Sequence, residues 1–123
     1  MTTPTQLGFV SVQVSDLAAS TLFYRDTLGF QPVPQSPPDA CIFATQSGAT
    51  FAIRKPLVDL NQTDQLGWGV GLWFAVDSLD DFLQRIDGQA TLIRGVQATP
   101  FGNTAIIADP DGYWLTIQES PNR

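Results

Sequence analysis

The sequence contains no histidine and only one cysteine, Cys41, in 123 residues. A single cysteine forms no disulfide within the chain and builds no zinc site of the cysteine type. Cys41 stands in the apolar run "ACIFAT", and the chain has no histidine to act as its base. We therefore predict a buried, unreactive thiol rather than a nucleophile.

Basic residues are also few. Lysine and arginine total 6 against 12 aspartates and glutamates, which gives a formal net charge of −6. Nucleic acids and anionic membranes are bound by clustered basic side chains, so neither is an expected partner. No apolar run is long enough to span a bilayer, and "MTTPTQLGF" lacks the pattern of a secretion signal. We expect a cytoplasmic protein, and the 43% hydrophobic and 15% charged residues are typical of a folded globular domain.

The sequence does contain an internal repeat. "VSDL" at Val14–Leu17 matches "VDSL" at Val76–Leu79, and "ATQSGATFAI" at Ala44–Ile53 matches "ADPDGYWLTI" at Ala108–Ile117. The order of elements is the same in both halves. Because neither half can bury its apolar face alone, the repeat predicts two modules packed as one domain.

Each half is predicted to contain one strand, one helix and then two or three strands. The first helix, "SDLAASTLFYRDTLG", is expected to begin at a cap formed by Ser15 or Asp16 and to stop at Gly29. The second, "SLDDFLQRIDG", has apolar residues at helical spacing and a stop at Gly88. The aperiodic stretch Pro56–Gly69 joins the halves. Predicted strands are "FVSVQV", "ACIFAT", "TFAIRK", "GLWFAV", "ATLIRG", "NTAIIAD" and "YWLTIQ", with turns at "QSG" and "PDG".

With this order of elements, "VSDLAASTLFYRDTLGF", "VDSLDDFLQRI" and "TPFGNTAIIADPDGYWLTIQE" resemble the vicinal oxygen chelate superfamily, which includes glyoxalase I, extradiol dioxygenases and bleomycin-resistance proteins. The resemblance covers nearly the whole chain. It implies an α+β fold in which two βαβββ modules form a curved mixed sheet around an open cleft. The domain would span residues 1–123, with module one at about 7–57 and module two at about 68–120. It also implies a homodimer.

The resemblance further implies four positions at which enzymes of the family hold a divalent metal through histidine and glutamate. Here those positions are occupied by Phe9, Ala52, Gly71 and Thr116. Strand alternation places no carboxylate on the cleft face, and Glu119 would join it only if a bulge shifted the register. We therefore expect no metal and no other cofactor.

The cleft is instead predicted to be aromatic. Aromatic faces stack on planar ligands and attract cations, and a mostly apolar cleft with a few polar groups is typical of a small-molecule site. The same rings are equally compatible with filling a collapsed cleft or sealing a dimer interface. Arg54 is also compatible with a position at a strand end, where its guanidinium lies in water. The predicted ligand-binding residues are Phe9, Gln13, Arg54, Trp68, Trp73, Phe101, Trp114 and Thr116.

The residues and the resemblance together indicate two functions, and an interaction or regulatory domain with an empty cleft stays open as a third. The first is a metal-free protein that binds a planar or cationic small molecule, as in the bleomycin-resistance branch, where an antibiotic is sequestered without being modified. The alternative is a metal-dependent enzyme of the glyoxalase or dioxygenase kind with an atypical carboxylate site. The "DPDG" sequence is assigned a tight turn with Gly112 at a left-handed position, and no chemistry.

Overall fold

A computed structural model describes residues 4–45, 48 and 50–120. The chain forms two compact units, Met1–Leu60 and Asn61–Arg123. Each unit has the order strand, helix and three strands, so the predicted α+β class and the two βαβββ modules are confirmed. The first unit contains β1 (Val10–Gln13), α1 (Leu17–Leu22), β2 (Gln31–Pro32), β3 (Ala40–Ala44) and β4 (Thr50–Arg54).

Helix α1 begins where the sequence predicts. Asp16 has an extended backbone, and its carboxylate accepts a hydrogen bond from the Ala19 backbone N–H at 3.1 Å. The α-helical part ends earlier than predicted, at Leu22. Residues Phe23–Thr27 continue the helical segment as a π-helical turn. Gly29 then ends it with a φ of 88°, a conformation that costs glycine little because it has no Cβ.

The first sheet has the strand order β1-β4-β3-β2, with β1 parallel to β4 and the other pairs antiparallel. Helix α1 packs on β3 and β4. The core beneath it is aromatic: the Tyr24 ring is fully buried, with its centroid 5.3 Å from that of Phe51 and 6.0 Å from that of Phe43. One face of the sheet therefore packs into the core.

The second unit repeats this plan with β5 (Leu72–Val76), α2 (Leu79–Arg85), β6 (Thr91–Thr99), β7 (Gly102–Ala108) and β8 (Trp114–Glu119). Ser78 caps α2, since its hydroxyl accepts a hydrogen bond from the Asp81 backbone N–H at 3.3 Å. Leu79, Phe82 and Ile86 are buried, as their helical spacing predicts.

The second sheet has the order β5-β8-β7-β6, with β5 parallel to β8. Strand β8 is in continuous register with β5 and β7, so its side chains alternate strictly between the two faces. Leu115 and Ile117 are buried on the face that α2 covers. Strand β6 is less regular, with register shifts between Leu92 and Arg94 and between Arg94 and Gln97.

Three smaller predictions need comment. Cys41 is half-buried rather than fully buried, and that burial raises the pKa of its thiol. The segment between the units contains a short 3-10 turn at Leu60–Gln62, and the predicted "QSG" turn lies outside the described residues except for Gly48. Within the described ranges, the helices are too short or too polar to cross a membrane.

Candidate ligand-binding surface

The face of the second sheet opposite α2 carries the predicted tryptophans. Trp73 on β5 pairs with Thr116 on β8, and Thr116 pairs with Ile106 on β7, so the three side chains form one row across the sheet. Trp114 lies two residues before Thr116 on the same side of β8. We call this the helix-free face; it includes Trp73, Ala75, Thr91, Arg94, Gln97, Thr104, Ile106, Ala108, Trp114, Thr116 and Gln118.

The indoles of the helix-free face are open to solvent in the chain. Trp73 is 45% exposed and Trp114 is 49% exposed, whereas Leu72 and Leu115 beside them are buried. The two indoles therefore do not fill the core of their own unit. Large exposed aromatic side chains grouped on one sheet face are a feature of binding surfaces rather than of inert ones.

Trp73 occupies its place because residue 71 has no side chain. A Cβ added at Gly71 would lie 3.2 Å from the Trp73 indole nitrogen, closer than ordinary van der Waals contact. The indole thus covers the backbone just before β5. Its ring also meets Phe101 edge to face, with centroids 5.9 Å apart.

Phe101 is presented by a tight turn between β6 and β7. The Thr99 hydroxyl oxygen accepts a hydrogen bond from the Phe101 N–H at 3.1 Å and donates one to the Gly102 carbonyl at 2.7 Å. The turn is therefore held by a side chain, although its tip is exposed. The structure brings together Trp73 and Phe101, two of the predicted binding residues.

Trp68 is held in a loop that is attached to the "DPDG" turn. The Gln65 amide donates to the Gly112 carbonyl at 2.7 Å, and a Cβ at Gly67 would lie 3.1 Å from the Tyr113 ring. Trp68 itself is 84% exposed. The loop therefore lies against the turn that leads into Trp114. The aperiodic sequence of this segment does not predict this contact.

The "DPDG" turn has a structural role, as predicted. Asp109 is buried, and its carboxylate accepts hydrogen bonds from the Asp111 and Tyr113 backbone N–H groups, both at 2.9 Å. Gly112 has a φ of 95°, the left-handed conformation expected of it. The turn fixes the start of β8 and with it the position of Trp114.

The predicted binding residues of the first unit lie on its sheet or next to it. Phe9 stands just before β1 and is exposed. Gln13 holds the chain after β4, since its amide oxygen accepts from the Leu57 and Val58 N–H groups at 2.6 and 3.2 Å. Arg54, at the end of β4, is half-buried and donates through Nε to the Lys55 carbonyl at 3.1 Å. Gln13 thus has a structural use that its sequence position does not reveal.

Arg94 is a member of the helix-free face that the sequence analysis missed. It pairs with Ile106 across β6 and β7, and its guanidinium donates to the Thr104 hydroxyl at 2.7 Å and to the Gln97 side-chain oxygen. The register shifts on either side of Arg94 break the alternation from which the face of a residue is predicted.

Residues 6–117 match the model of the Glyoxalase/Bleomycin resistance protein/Dioxygenase superfamily. The chain belongs to this superfamily. It is 28% identical over 111 residues to the phenazine antibiotic resistance protein EhpR of Enterobacter agglomerans, covering 86% of this chain and 85% of EhpR.

Members of the superfamily with solved structures share the fold at low sequence identity. TnmS3, an antibiotic binding protein from Streptomyces sp. CB03234, is 24% identical with a TM-score of 0.76, and the match covers 98% of this chain and 99% of TnmS3. A lactoylglutathione lyase from Agrobacterium tumefaciens is 21% identical with a TM-score of 0.67, over 95% of this chain and 96% of that enzyme. The same fold therefore occurs in a binding protein and in an enzyme, and the site has to decide between them.

The residues at the four metal positions implied by the superfamily resemblance do not fit a metal ion. Phe9 and Ala52 are apolar, Gly71 has no side chain, and Thr116 offers only a hydroxyl. Divalent ions in proteins are held by carboxylate, imidazole or thiolate groups together with carbonyl oxygens. Nor do the histidine, cysteine and acidic side chains of the described residues form a group of three or more suited to a metal.

Glu119 is the acidic residue nearest to these positions in the sequence, and it points the other way. The register of β8 contains no bulge, so Glu119 lies on the face that carries Leu115 and Ile117. Its carboxylate accepts a hydrogen bond from the Leu79 N–H at the start of α2, at 3.0 Å. The bulge that would have turned Glu119 toward Thr116 is therefore absent from the described strand.

Proposed function

We propose that the chain binds a planar organic molecule of the antibiotic class on the helix-free face, without a metal and without changing the ligand chemically. One observation carries the proposal. Two nearly half-exposed indoles, Trp73 and Trp114, flank Thr116, where an enzyme of the superfamily would place a glutamate ligand.

The physical basis of binding is stacking and apolar burial. Each indole offers a flat apolar surface, and aromatic pairs add about 0.5–1.5 kcal/mol beyond the burial of area. Ile106 supplies an apolar floor next to Thr116, and Phe101 continues the aromatic surface beside Trp73. The Thr116 hydroxyl is a polar group that can orient the ligand. A planar ring therefore has both surface and polar contact on this face.

The relatives support the same class of ligand. EhpR is a phenazine antibiotic resistance protein, and TnmS3 is an antibiotic binding protein. Phenazines are flat fused rings, which suit exposed indoles. We therefore take phenazine as the first probe for this chain, and bleomycin, the ligand that the superfamily resemblance implies, as the second.

The test is a titration of intrinsic tryptophan fluorescence with phenazine and with metal-free bleomycin, each with and without EDTA. Saturable quenching by one compound that EDTA leaves unchanged is the expected result. The bound compound should also be recovered unmodified by mass spectrometry. Quenching that requires an added divalent ion would contradict the metal-free proposal, and no response to either compound would contradict the proposed ligand class.

The alternative is a metal-dependent enzyme, represented among the structural relatives by the lactoylglutathione lyase. It is tested by measuring the metal content of the purified chain and its turnover of the adduct of methylglyoxal and glutathione. Stoichiometric metal together with turnover would replace the binding proposal. The homodimer, the single domain over residues 1–123 and the cytoplasmic location stay predictions; light scattering during size-exclusion chromatography tests the first.

A further inference from the structure

Arg94 is the one charged side chain among the described residues of the helix-free face. It lies in the row that runs from Trp73 through Thr116 and Ile106 to β6. Neighbouring strands are about 4.8 Å apart, so three strand steps place the Arg94 backbone about 14 Å from that of Trp73. The hydrogen bond from its guanidinium to Thr104, another member of the face, confirms the side on which the side chain lies.

The guanidinium of Arg94 is not fully used within the chain. Of its five N–H donors, one is given to Thr104 and one to Gln97. The buried Nε has no hydrogen-bond partner among the described residues, and no ion pair joins Arg94 to a carboxylate in the described ranges. A half-buried cation without an anion is unfavourable, and an unsatisfied buried donor adds to that cost.

From this arrangement we infer that Arg94 binds an acidic group of the ligand, so that the ligand is a planar aromatic acid whose ring stacks at Trp73 and Trp114. The inference rests on the proposed function and narrows its ligand class. A guanidinium matches a carboxylate by two parallel N–H···O bonds, which are stronger than neutral hydrogen bonds. Because it repels cations, it selects the planar rather than the cationic ligand of the two expected from the sequence.

The net charge of the chain bears on the preference for an acidic ligand. A chain with a formal charge of −6 disfavours anions at long range, so a preference for an acid has to come from a local cation. Thr104, which is buried, holds one end of the Arg94 guanidinium at 2.7 Å. The cation is therefore positioned before the ligand arrives.

The experiment compares phenazine-1-carboxylate with unsubstituted phenazine at pH 7 by calorimetry. The wild-type chain is expected to bind the acid about tenfold to hundredfold more tightly, the range for a charge-assisted hydrogen bond. Arg94→Gln should remove this preference, so that the acid and the neutral probe bind with similar affinity. Arg94→Lys, which keeps the charge but loses the planar fork, should keep part of the preference.

Arg85→Gln is the matched control, since it removes the same charge from the helix on the opposite side of the sheet. The Arg85 guanidinium lies 5.2 Å from the centroid of the Phe82 ring on α2. The control should keep the wild-type preference for the acid. Loss of the preference in both glutamine variants would show a long-range charge effect and overturn the role of Arg94.

The outcomes separate the two proposals. Equal affinity of the wild-type chain for acid and neutral probe overturns the inference and leaves the proposed function intact, and this result does not depend on any variant folding. An acid preference that survives Arg94→Gln assigns the anion to another residue and also overturns it. If neither phenazine binds, the inference is overturned, and the proposed function is overturned with it only if bleomycin also fails to quench the tryptophan fluorescence.

Discussion

The rings of Trp73 and Phe101 meet edge to face, with their centroids 5.9 Å apart and their planes at 87°. Trp73 comes from β5 and Phe101 from the turn before β7, so the contact joins two segments that are distant in sequence. Edge-to-face geometry places the positive edge of one ring against the negative face of the other. The aromatic surface is therefore an ordered pair rather than two independent side chains.

Removing either indole should weaken binding. We expect Trp73→Ala and Trp114→Ala each to lower the affinity for phenazine by about two- to tenfold, the range for an aromatic contact of 0.5–1.5 kcal/mol. Calorimetry is the suitable measurement, because the substitutions remove the fluorophore. Leu92→Ala, which removes an exposed apolar side chain from a position paired with the buried Ile107, should have no effect. Wild-type affinity in both tryptophan variants would refute the assigned site.

The absence of a side chain at Gly71 should affect the position of the Trp73 indole and, through it, the affinity for phenazine. Gly71→Ala places a Cβ 3.2 Å from the Trp73 indole nitrogen, and the exposed indole should move away from Phe101. We expect an altered near-ultraviolet circular dichroism spectrum and a few-fold weaker phenazine affinity at nearly unchanged stability. Gly95→Ala is the matched control, because a Cβ there meets nothing within 4 Å. Identical spectra and affinities for the two variants would show that Gly71 does not position the indole.

Glu119 should contribute to stability and not to binding. Its carboxylate accepts the Leu79 N–H at the start of α2, so Glu119→Ala leaves that donor without its partner. The expected loss is about 1 kcal/mol in the free energy of unfolding, similar to the loss of a helix cap. Urea unfolding measures it, and Ser78→Ala, which removes the hydroxyl cap of the same helix, provides the comparison. A Glu119→Ala chain of normal stability that no longer binds phenazine would point to a site at Glu119 instead.

Cys41 should be a slow thiol in the folded chain. Burial raises the pKa of its thiol, so less thiolate is present at a given pH than in the unfolded chain. Iodoacetamide should therefore label the native chain more slowly than the urea-unfolded chain, and the labelling rate should keep rising at pH values where that of the unfolded chain has levelled off. The opposite order of the two pH profiles would contradict this.

The same shift makes stability fall at alkaline pH. The folded state holds the Cys41 proton more tightly than the unfolded state does. The contribution of this difference to the free energy of unfolding is fully present below the ordinary thiol pKa of about 8.5. It is lost as the pH rises through the higher pKa of the folded state. Cys41→Ser, unfolded by urea across this range, should show a weaker loss of stability than the wild-type chain.

Local sequence signals predicted most of the fold. Asp16 and Gly29 mark the two ends of the first helical segment because capping and left-handed backbone depend on one residue each. The face of Glu119 followed from strict alternation in β8, which the structure confirms. Signals of this kind are local, and a single sequence contains them completely.

The features that the sequence did not predict depend on tertiary contacts. Arg94 was missed because two register shifts in β6 interrupt the alternation. The role of Gln13 was missed because its partners, the Leu57 and Val58 N–H groups, lie more than forty residues away. The π-helical turn at Phe23–Thr27 was missed because its sequence continues a helical pattern.

The pairing of first with last strands has a consequence for biosynthesis. In each unit the opening strand is parallel to the closing one, β1 to β4 and β5 to β8. A nascent chain leaves the ribosome from its amino end, so the first sheet can close once Arg54 has emerged. The second sheet has to wait for Glu119, and until then β5 lacks β8, the strand with which it pairs. The sheet that carries Trp73 and Trp114 is thus assembled only after β8 has left the ribosome.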